Sequence, residues 1–257
     1  MKQRIITGVA LAVLLIPCVL IGGIFFQLLC GVLTVMGIYE VISVSSKDKI
    51  KPYIYITSII FALINLYLNY GSVIDSAFTM VYLLVLLSFS IFDESFSIND
   101  VFYYFTVCVL VAAGFSMLYQ LRLAFGIHYV LLLALATFGT DTGAYFAGMK
   151  FGKNKLIPRL SPKKTVEGSI GGMITGTVLS VIYGIVFKVG IPLPALMIIC
   201  FVLTITSQLG DLTFSSIKRK FEVKDYSQLL PGHGGILDRF DSLLFNAMVF
   251  GVLLTIL

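Results

Sequence analysis

Long apolar stretches separated by short polar segments run along the whole chain. A helix needs about 20 mostly apolar residues to cross the hydrocarbon core of a bilayer. Nine stretches approach or reach that length, although the third and fourth are short enough to be tilted, re-entrant or shifted. We therefore expect an all-α, polytopic integral membrane protein with about nine transmembrane helices. The predicted spans are residues 5–23, 25–46, 53–69, 76–92, 101–119, 128–149, 169–188, 194–217 and 239–257.

Composition indicates the same class of protein. Hydrophobic residues make up 58% and charged residues 12% of the 257 positions, whereas ordinary globular domains are roughly half apolar and a quarter charged. So few charges would leave large apolar patches exposed on a soluble globule. The composition also excludes a disordered chain, a collagen-like chain and a disulfide scaffold. The four cysteines lie inside apolar runs, and we interpret them as packing residues.

The distribution of basic residues predicts the orientation in the membrane. Cytoplasmic loops are enriched in Lys and Arg. With the N-terminus inside, 16 of the 18 basic residues are cytoplasmic, and only Arg122 and Lys188 lie outside. We expect a multi-pass protein of the cytoplasmic (inner) membrane with a cytoplasmic N-terminus. The acidic segment 93–100 is also placed inside, which is a weak objection because acidic residues contribute little to this rule.

The two parts of the chain differ in chemistry. Residues 1–127 form an N-terminal helical region with few polar groups in its helices, apart from Glu40 and Asp75. Residues 128–257 carry two long polar loops and several carboxylates at membrane depth, so we expect them to be the catalytic region. No internal repeat relates the two parts. We interpret residues 1–257 as a single membrane-embedded domain, in which Glu40→Gln is expected to have a mild effect.

Four carboxylates fall near the cytoplasmic ends of the predicted C-terminal helices: Asp141, Asp211, Asp238 and Asp241. A charged side chain at the bilayer centre costs about 2.5 to 3.5 kcal/mol on insertion scales, so such groups are expected to be paired, hydrated or bound to a cation. Carboxylates beside basic loops favour a site for Mg²⁺ and phosphate. The alternative for each is an interhelix partner or a helix cap, since the first helical turn favours negative charge.

Spacing brings further polar groups to the same face. Asp211, Ser215 and Lys218 are at positions i, i+4 and i+7, so on a helix they form one stripe toward the inner surface. Asp238 and Asp241 are at i and i+3 and face together. We therefore expect the active site at the cytoplasmic end of the C-terminal helices.

The loop 150–172 is the first of two basic segments. Ser161 is predicted to be a helix N-cap with Pro162 at the first helical position. Such a helix start would direct backbone N–H groups, Lys163 and Lys164 at an anion. The loop does not match the Walker phosphate-binding pattern. The alternative is general attraction of its lysines to anionic lipid, about 1 kcal/mol for each.

The second basic segment, residues 218–241, contains His233 between glycines. Gly232, Gly234 and Gly235 let the backbone approach a phosphate closely or adopt positive φ. A lone His is more often structural than catalytic, but this setting, five residues before Asp238, favours function. We interpret the other histidine, His128, as structural.

Three sequence blocks together resemble a known family. Residues 215–241 read S-x-I-K-R-x4-K-D-x-S-x-x-L-P-x-H-G-G-I-x-D-R-F-D, which is similar to the signature of the phosphatidate cytidylyltransferases, also called CDP-diacylglycerol synthases. D-T-G-A-Y-F at 141–146 and S-P-K-K-T-x-E-G at 161–168 resemble the same family in order and spacing. The resemblance covers residues 137–241, and the first five predicted helices match only as a hydrophobic region.

The resemblance implies a dimeric membrane enzyme that converts CTP and phosphatidate to CDP-diacylglycerol and pyrophosphate with Mg²⁺, with K⁺ as a possible second ion. Nucleic acid is not an expected partner. Carried over position by position, it implies catalytic roles for Asp211, Asp238, Asp241, Lys218 and His233. The implied metal carboxylates are Asp211 and Asp238, with Asp141 and Asp241 nearby, and the implied substrate-binding residues are Ser161, Lys163, Lys164, Thr165, Ser215, Arg219, Lys224 and Arg239.

Two other classes of protein remain as alternatives. Secondary transporters and cation channels also bind ions with intramembrane Asp residues, but usually near the midplane and between repeated halves. The second alternative is another lipid-linked phosphotransferase, such as a polyprenol kinase or a phospho-sugar transferase. Such an enzyme would share the Mg²⁺-binding carboxylates and the basic loops. Only the family resemblance of residues 233–241 argues against that class.

Overall fold

The computed structural model describes residues 2–45, 51–67, 73–232 and 234–257. Within these ranges the chain forms nine α-helices and one two-stranded antiparallel sheet. In chain order, the elements are α1 (Lys2–Ile21), α2 (Gly23–Ser45), α3 (Pro52–Tyr67), α4 (Val73–Phe92), α5 (Ile98–Phe125), α6 (Ile127–Phe151), β1 (Lys155–Ile157), β2 (Ser161–Thr165), α7 (Val166–Val186), α8 (Leu193–Lys220) and α9 (Leu237–Ile256).

The helices fit a multi-pass membrane protein. Among the described residues, six helices are long and apolar enough to cross a membrane, namely α2 and α5 to α9. Within the fully described residues, α1, α3 and α4 contribute the shorter apolar stretches Thr7–Ile21, Pro52–Tyr67 and Ser76–Phe92. Every predicted span overlaps one observed helix, so the helical fold is confirmed. The short β1–β2 hairpin is the one described departure from an all-α fold.

The predicted helix start at Ser161 and Pro162 is wrong. Ser161 instead begins β2 and pairs with Ile157 of β1, and the helix starts at Val166. Thr165 is the actual N-cap, because its hydroxyl accepts a 3.1 Å hydrogen bond from the Gly168 backbone N–H. A proline is tolerated in β2 because a two-stranded ribbon leaves backbone N–H groups on its outer edges unpaired.

The described chain divides into two compact units. The first consists of residues 1–119 with residues 226–236. Its interior is apolar, with side chains such as Phe26 and Phe115 at most 2% exposed. Buried polar groups in it are paired, as where the Ser58 and Tyr82 hydroxyls lie 2.8 Å apart. This unit therefore has its own core.

An ion pair joins the two ends of the α3–α4 hairpin in this unit. Lys51 Nζ lies 2.8 Å from Asp93 Oδ2, and the Tyr53 hydroxyl donates to the same oxygen. The hydrogen bond from Lys51 is the largest cause that holds the pKa of the Asp93 carboxyl well below its usual range. Both ends of the hairpin thus lie on one side. Asp93, the first residue of the acidic segment 93–100, is therefore paired to a lysine, and the predicted orientation stays a prediction.

The second unit consists of residues 120–225 and 237–257. In it, α6 and α7 pack backbone against backbone. A Cβ atom built at Gly172 would lie 2.6 Å from the Thr140 carbonyl oxygen, and one at Gly168 would lie 2.8 Å from the Ala144 carbonyl oxygen. Gly176 repeats this contact one turn further along α7. Small residues every fourth position are the usual means of close helix approach in membranes.

This close approach predicts opposite effects for two glycine substitutions. Alanine in a helix interior is favoured over glycine by about 1 kcal/mol, but at Gly172 the added methyl group would collide with the Thr140 carbonyl, and overpacking costs about 1 to 3 kcal/mol. Gly31 in α2 is the control, since its Cβ would make an ordinary 3.6 Å contact with Leu66. We expect Gly172→Ala to lower the thermal unfolding temperature in detergent and Gly31→Ala to keep or raise it. A rise in both would contradict the backbone contact.

Candidate active site

A cavity of about 390 Å³ lies within the second unit, beneath the β1–β2 hairpin and beside α6, α7 and α8. This is within the volume range of small-molecule sites, about 300 to 1,000 Å³. Its wall combines apolar and aromatic groups with lysine, carboxylate, hydroxyl and amide groups. The lining residues are Asp141, Ala144, Tyr145, Gly148, Met149, Leu156, Lys163, Lys164, Thr165, Gly168, Ser169 and Gln208.

Lys164 is the basic centre of this cavity. Its ammonium group donates a hydrogen bond to Asp211 Oδ2, so β2 is tied to α8 by an ion pair. Lys164 also interacts electrostatically with Asp141 and Asp241. Burial is the largest effect on its pKa, which is lowered from the ordinary lysine value, while the two carboxylates oppose that shift. The position of Lys164 is therefore set by its acidic neighbours.

A second ion pair joins α8 to α9. Lys218 Nζ lies 2.6 Å from Asp238 Oδ1, and their side chains are only 10% and 4% exposed. Ser215, one turn earlier on α8, is buried as well. The predicted stripe on α8 therefore carries Asp211 toward β2 and Lys218 toward α9.

Asp241 lies one turn after Asp238 and is 8% exposed. Its Oδ1 accepts a 2.7 Å hydrogen bond from the Ser242 backbone N–H. It interacts electrostatically with Lys218, with Asp141 and with Asp238. In their charged forms, the four predicted carboxylates and the two lysines carry a net negative charge, which favours a cation.

The metal-binding prediction can be compared with this arrangement. Among the described residues, no three Asp, Glu, His or Cys side chains are grouped closely enough to hold a metal by themselves. Two of the carboxylates, Asp211 and Asp238, each hold a lysine ammonium instead. An ammonium group here is a stand-in cation, and carboxylate oxygens are donors that suit Mg²⁺. Magnesium commonly takes only one or two protein carboxylates and completes its shell with phosphates and water, so the donor set fits that ion.

The remaining predicted substrate-binding residues have different settings. Lys163 and Thr165 line the cavity, whereas Ser161 is not among the lining residues. Arg219 donates from Nε to the Leu160 carbonyl at 3.3 Å and from Nη1 to the Val223 carbonyl at 2.9 Å, so it braces two loops. Lys224 and Arg239 are exposed. His233, which was predicted to be catalytic, lies outside the described residues.

Two sets of hydrogen-bonded polar side chains in this unit were not predicted from the sequence. The Ser169 hydroxyl donates to the Gln208 amide oxygen across the cavity wall, which links α7 to α8. Deeper in the unit, Asn246 of α9 donates to the Thr137 hydroxyl of α6 at 2.8 Å and accepts from the Thr206 hydroxyl of α8 at 2.5 Å. This buried network fixes the register of the three helices that carry the carboxylates. Amide and hydroxyl groups inside apolar helices were the signal that could have indicated it.

Comparison with known proteins gives consistent matches over the whole chain. The sequence profile of the Cytidylyltransferase family matches residues 2–257. The phosphatidate cytidylyltransferase of Staphylococcus saprophyticus is 35% identical over 260 residues, covering 99% of both chains. The protein of the same name from Bacillus subtilis is 32% identical over 261 residues, covering 95% of this chain and 94% of that one. A third, from Staphylococcus haemolyticus, is 33% identical over 258 residues and 99% of both chains.

Proposed function

Because this chain belongs to the cytidylyltransferase family, we propose that it transfers the cytidylyl group of CTP to phosphatidate, giving CDP-diacylglycerol and pyrophosphate. Its relatives named phosphatidate cytidylyltransferase match it from end to end. The observation that carries the proposal is the cavity under the hairpin. Lys163, Lys164 and Asp141 line it beside apolar helices, and Lys164 is paired with Asp211. Such a site suits a polyanionic nucleotide and a lipid phosphate together.

The reaction needs positioning more than a strong base. An oxygen of the phosphatidate phosphate forms a bond to the α-phosphorus of CTP, and the bond from that phosphorus to the bridging oxygen breaks, releasing pyrophosphate. The attacking phosphate is already anionic near neutral pH, so catalysis consists of alignment and charge stabilisation. Lys163, Lys164 and Lys218 offset the repulsion between the two polyanions and stabilise charge on the leaving pyrophosphate.

Magnesium is part of this proposal. Asp211 and Asp238 would hold it, with Asp141 and Asp241 as supporting carboxylates, and K⁺ would be a second ion at the same site. When bound, Mg²⁺ supplies a Lewis acid that neutralises developing phosphate charge. Two observations support a cation at this site. The carboxylates outnumber the lysines, and Asp211 and Asp238 each bind a lysine ammonium group in the described structure.

The proposal extends to the cellular setting. The bacterial relatives and the six long apolar helices support a multi-pass protein of the inner membrane, where phosphatidate resides. The excess of Lys and Arg in alternate loops supports a cytoplasmic N-terminus. The homodimer rests on the family resemblance, and sedimentation of the detergent-solubilised protein would test it.

Labelled nucleotides distinguish this reaction from those of the alternative classes. We expect the purified protein with phosphatidate and Mg²⁺ to place the α-phosphorus label of CTP in lipid and to release the γ-label as pyrophosphate. A lipid kinase would place the γ-label in lipid instead. We expect ATP, GTP and UTP to be poor substrates and removal of Mg²⁺ to stop the reaction. Lipid carrying the γ-label, or no product from well-folded protein, would overturn the proposed function.

A further inference from the structure

The segment 226–236, which lies directly before α9 in the sequence, is held by a buried carboxylate of α2. We propose that Glu40 is a positioning residue of the transferase, fixing this segment, which leads directly into the helix that carries Asp238. The rate effect rests on the proposed function. The contacts themselves all lie within the first unit, to which both Glu40 and residues 226–236 belong.

One oxygen of Glu40 holds both ends of the segment. Glu40 is 1% exposed, and its Oε1 accepts from the Ser227 hydroxyl at 2.7 Å and from the Ile236 backbone N–H at 2.8 Å. The backbone of Gly235 passes so close that a Cβ there would lie 2.5 Å from Oε1. Hydrogen bonds to charged groups are stronger than those between neutral groups. The carboxylate therefore holds the two ends of the segment close together.

Further contacts hold the part of the segment that lies between these two ends. Leu230 and Gly234 exchange two backbone hydrogen bonds of 3.0 and 3.1 Å, which closes a tight turn. Gly232 and Gly234 have φ of 78° and 84°, a conformation that side chains disfavour. Thr7 of α1 donates to the Pro231 carbonyl at 3.1 Å. The described residues on both sides of position 233 are thus held by contacts within the first unit.

The position of Glu40 indicates function rather than packing. An ionisable residue inside an apolar helix is unfavourable unless it is paired, and Glu40 accepts hydrogen bonds from the segment that leads into α9. Ile236 is joined through Leu237 to Asp238, at most about 7 Å of extended chain. A change in the backbone at Ile236 therefore reaches Asp238 through only two peptide bonds.

Substitutions at Glu40 test this role. We expect Glu40→Leu to lower kcat for cytidylyl transfer about 10- to 100-fold, and Glu40→Gln, which keeps an acceptor for Ile236, to lose less. Hydrogen exchange of residues 226–236 should accelerate in the same order. The control is Ser58→Ala, which removes a buried hydrogen bond to Tyr82 in the same unit without touching the segment. It should lower the unfolding temperature while leaving kcat and the exchange of residues 226–236 unchanged.

A second pair of variants distinguishes loss of the contact between Glu40 and the segment from general destabilisation. Gly235→Ala should lower kcat because its methyl group would meet the Glu40 carboxylate. In Gly235→Ala/Glu40→Ala the space is free, so the combined loss should be smaller than the product of the two single losses. Multiplicative losses, or parental kcat and exchange in Glu40→Leu, would overturn the positioning role. Exchange needs no substrate, so an inactive parent would refute the transferase reaction while exchange still decides whether Glu40 holds the segment.

Discussion

Asp238→Asn is expected to lower kcat for cytidylyl transfer about 10²- to 10³-fold, the usual effect of removing a preorganised electrostatic group. The substitution keeps the shape of the side chain and removes its charge. It deprives the Lys218 ammonium of a carboxylate 2.6 Å away, at a site where both side chains are at most 10% exposed. Membrane insertion should persist because the apolar span of α9 is unchanged. Steady-state kinetics on folded, detergent-purified protein would measure the loss.

The ion pair itself must be separated from catalysis. Breaking one partner of a buried pair costs about 3 to 5 kcal/mol, whereas replacing both can be nearly neutral. Asp238→Asn/Lys218→Met should therefore regain most of the unfolding temperature lost in Asp238→Asn while turnover stays low. Recovery of turnover in the double variant would show that the pair is only structural.

Asp100→Asn provides a matched control for the helix dipole. Asp100 and Asp238 both lie in the first turn of a helix, α5 and α9, where negative charge contributes about 0.3 to 1 kcal/mol. Asp100 bonds locally to the backbone and hydroxyl of Ser97. We expect activity within about threefold of the parent for this variant. An equal loss in both variants would remove the special role of Asp238.

The helices were predictable from the sequence because a membrane demands apolar runs of a minimum length, and such runs leave few alternatives. The β1–β2 hairpin was not. Ser161 followed by Pro162 is typical of a helix start, and three to five residues of strand have no periodicity to detect. The hairpin is held in place by a tertiary contact, because the Glu167 carboxylate of α7 accepts hydrogen bonds from the Lys153 and Asn154 backbone N–H groups. No local pattern contains that information.

The candidate site was predictable in its groups but not in their pairing. The sequence places Asp141, Asp211, Asp238 and Asp241 near the same ends of their helices. It does not give the rotation of those helices, so Lys164 could not be assigned to Asp211, which is 47 residues away. The partners of Glu40 could not be predicted from the sequence either. Glu40 reads as an isolated polar residue in an apolar region, and only folding brings it to Ile236, 196 residues later.

Lys164→Gln is expected to lower kcat/KM for CTP about 10- to 100-fold, which corresponds to one charge-assisted contact to phosphate. Lys164 lines the cavity and is held there by Asp211, so we expect its charge to act on substrate within the site. Lys164→Arg keeps the charge but replaces a compact ammonium with a wider planar group, and should retain intermediate activity. Measuring kcat/KM for CTP at saturating phosphatidate would isolate the nucleotide contact.

Substitution of Lys155, in the same hairpin, distinguishes a specific phosphate-binding site from general attraction by surface charge. It is exposed, pairs through its backbone with Thr165 in the β1–β2 register, and is not among the residues lining the cavity. Attraction of the loop to anionic lipid would give every lysine a similar contribution of about 1 kcal/mol. A specific phosphate site instead predicts that Lys155→Gln stays within about threefold of the parent while Lys164→Gln loses the full contact. Equal losses, both relieved by added anionic lipid, would mean that the basic loop serves the membrane surface and that Lys164 has no role of its own in holding CTP.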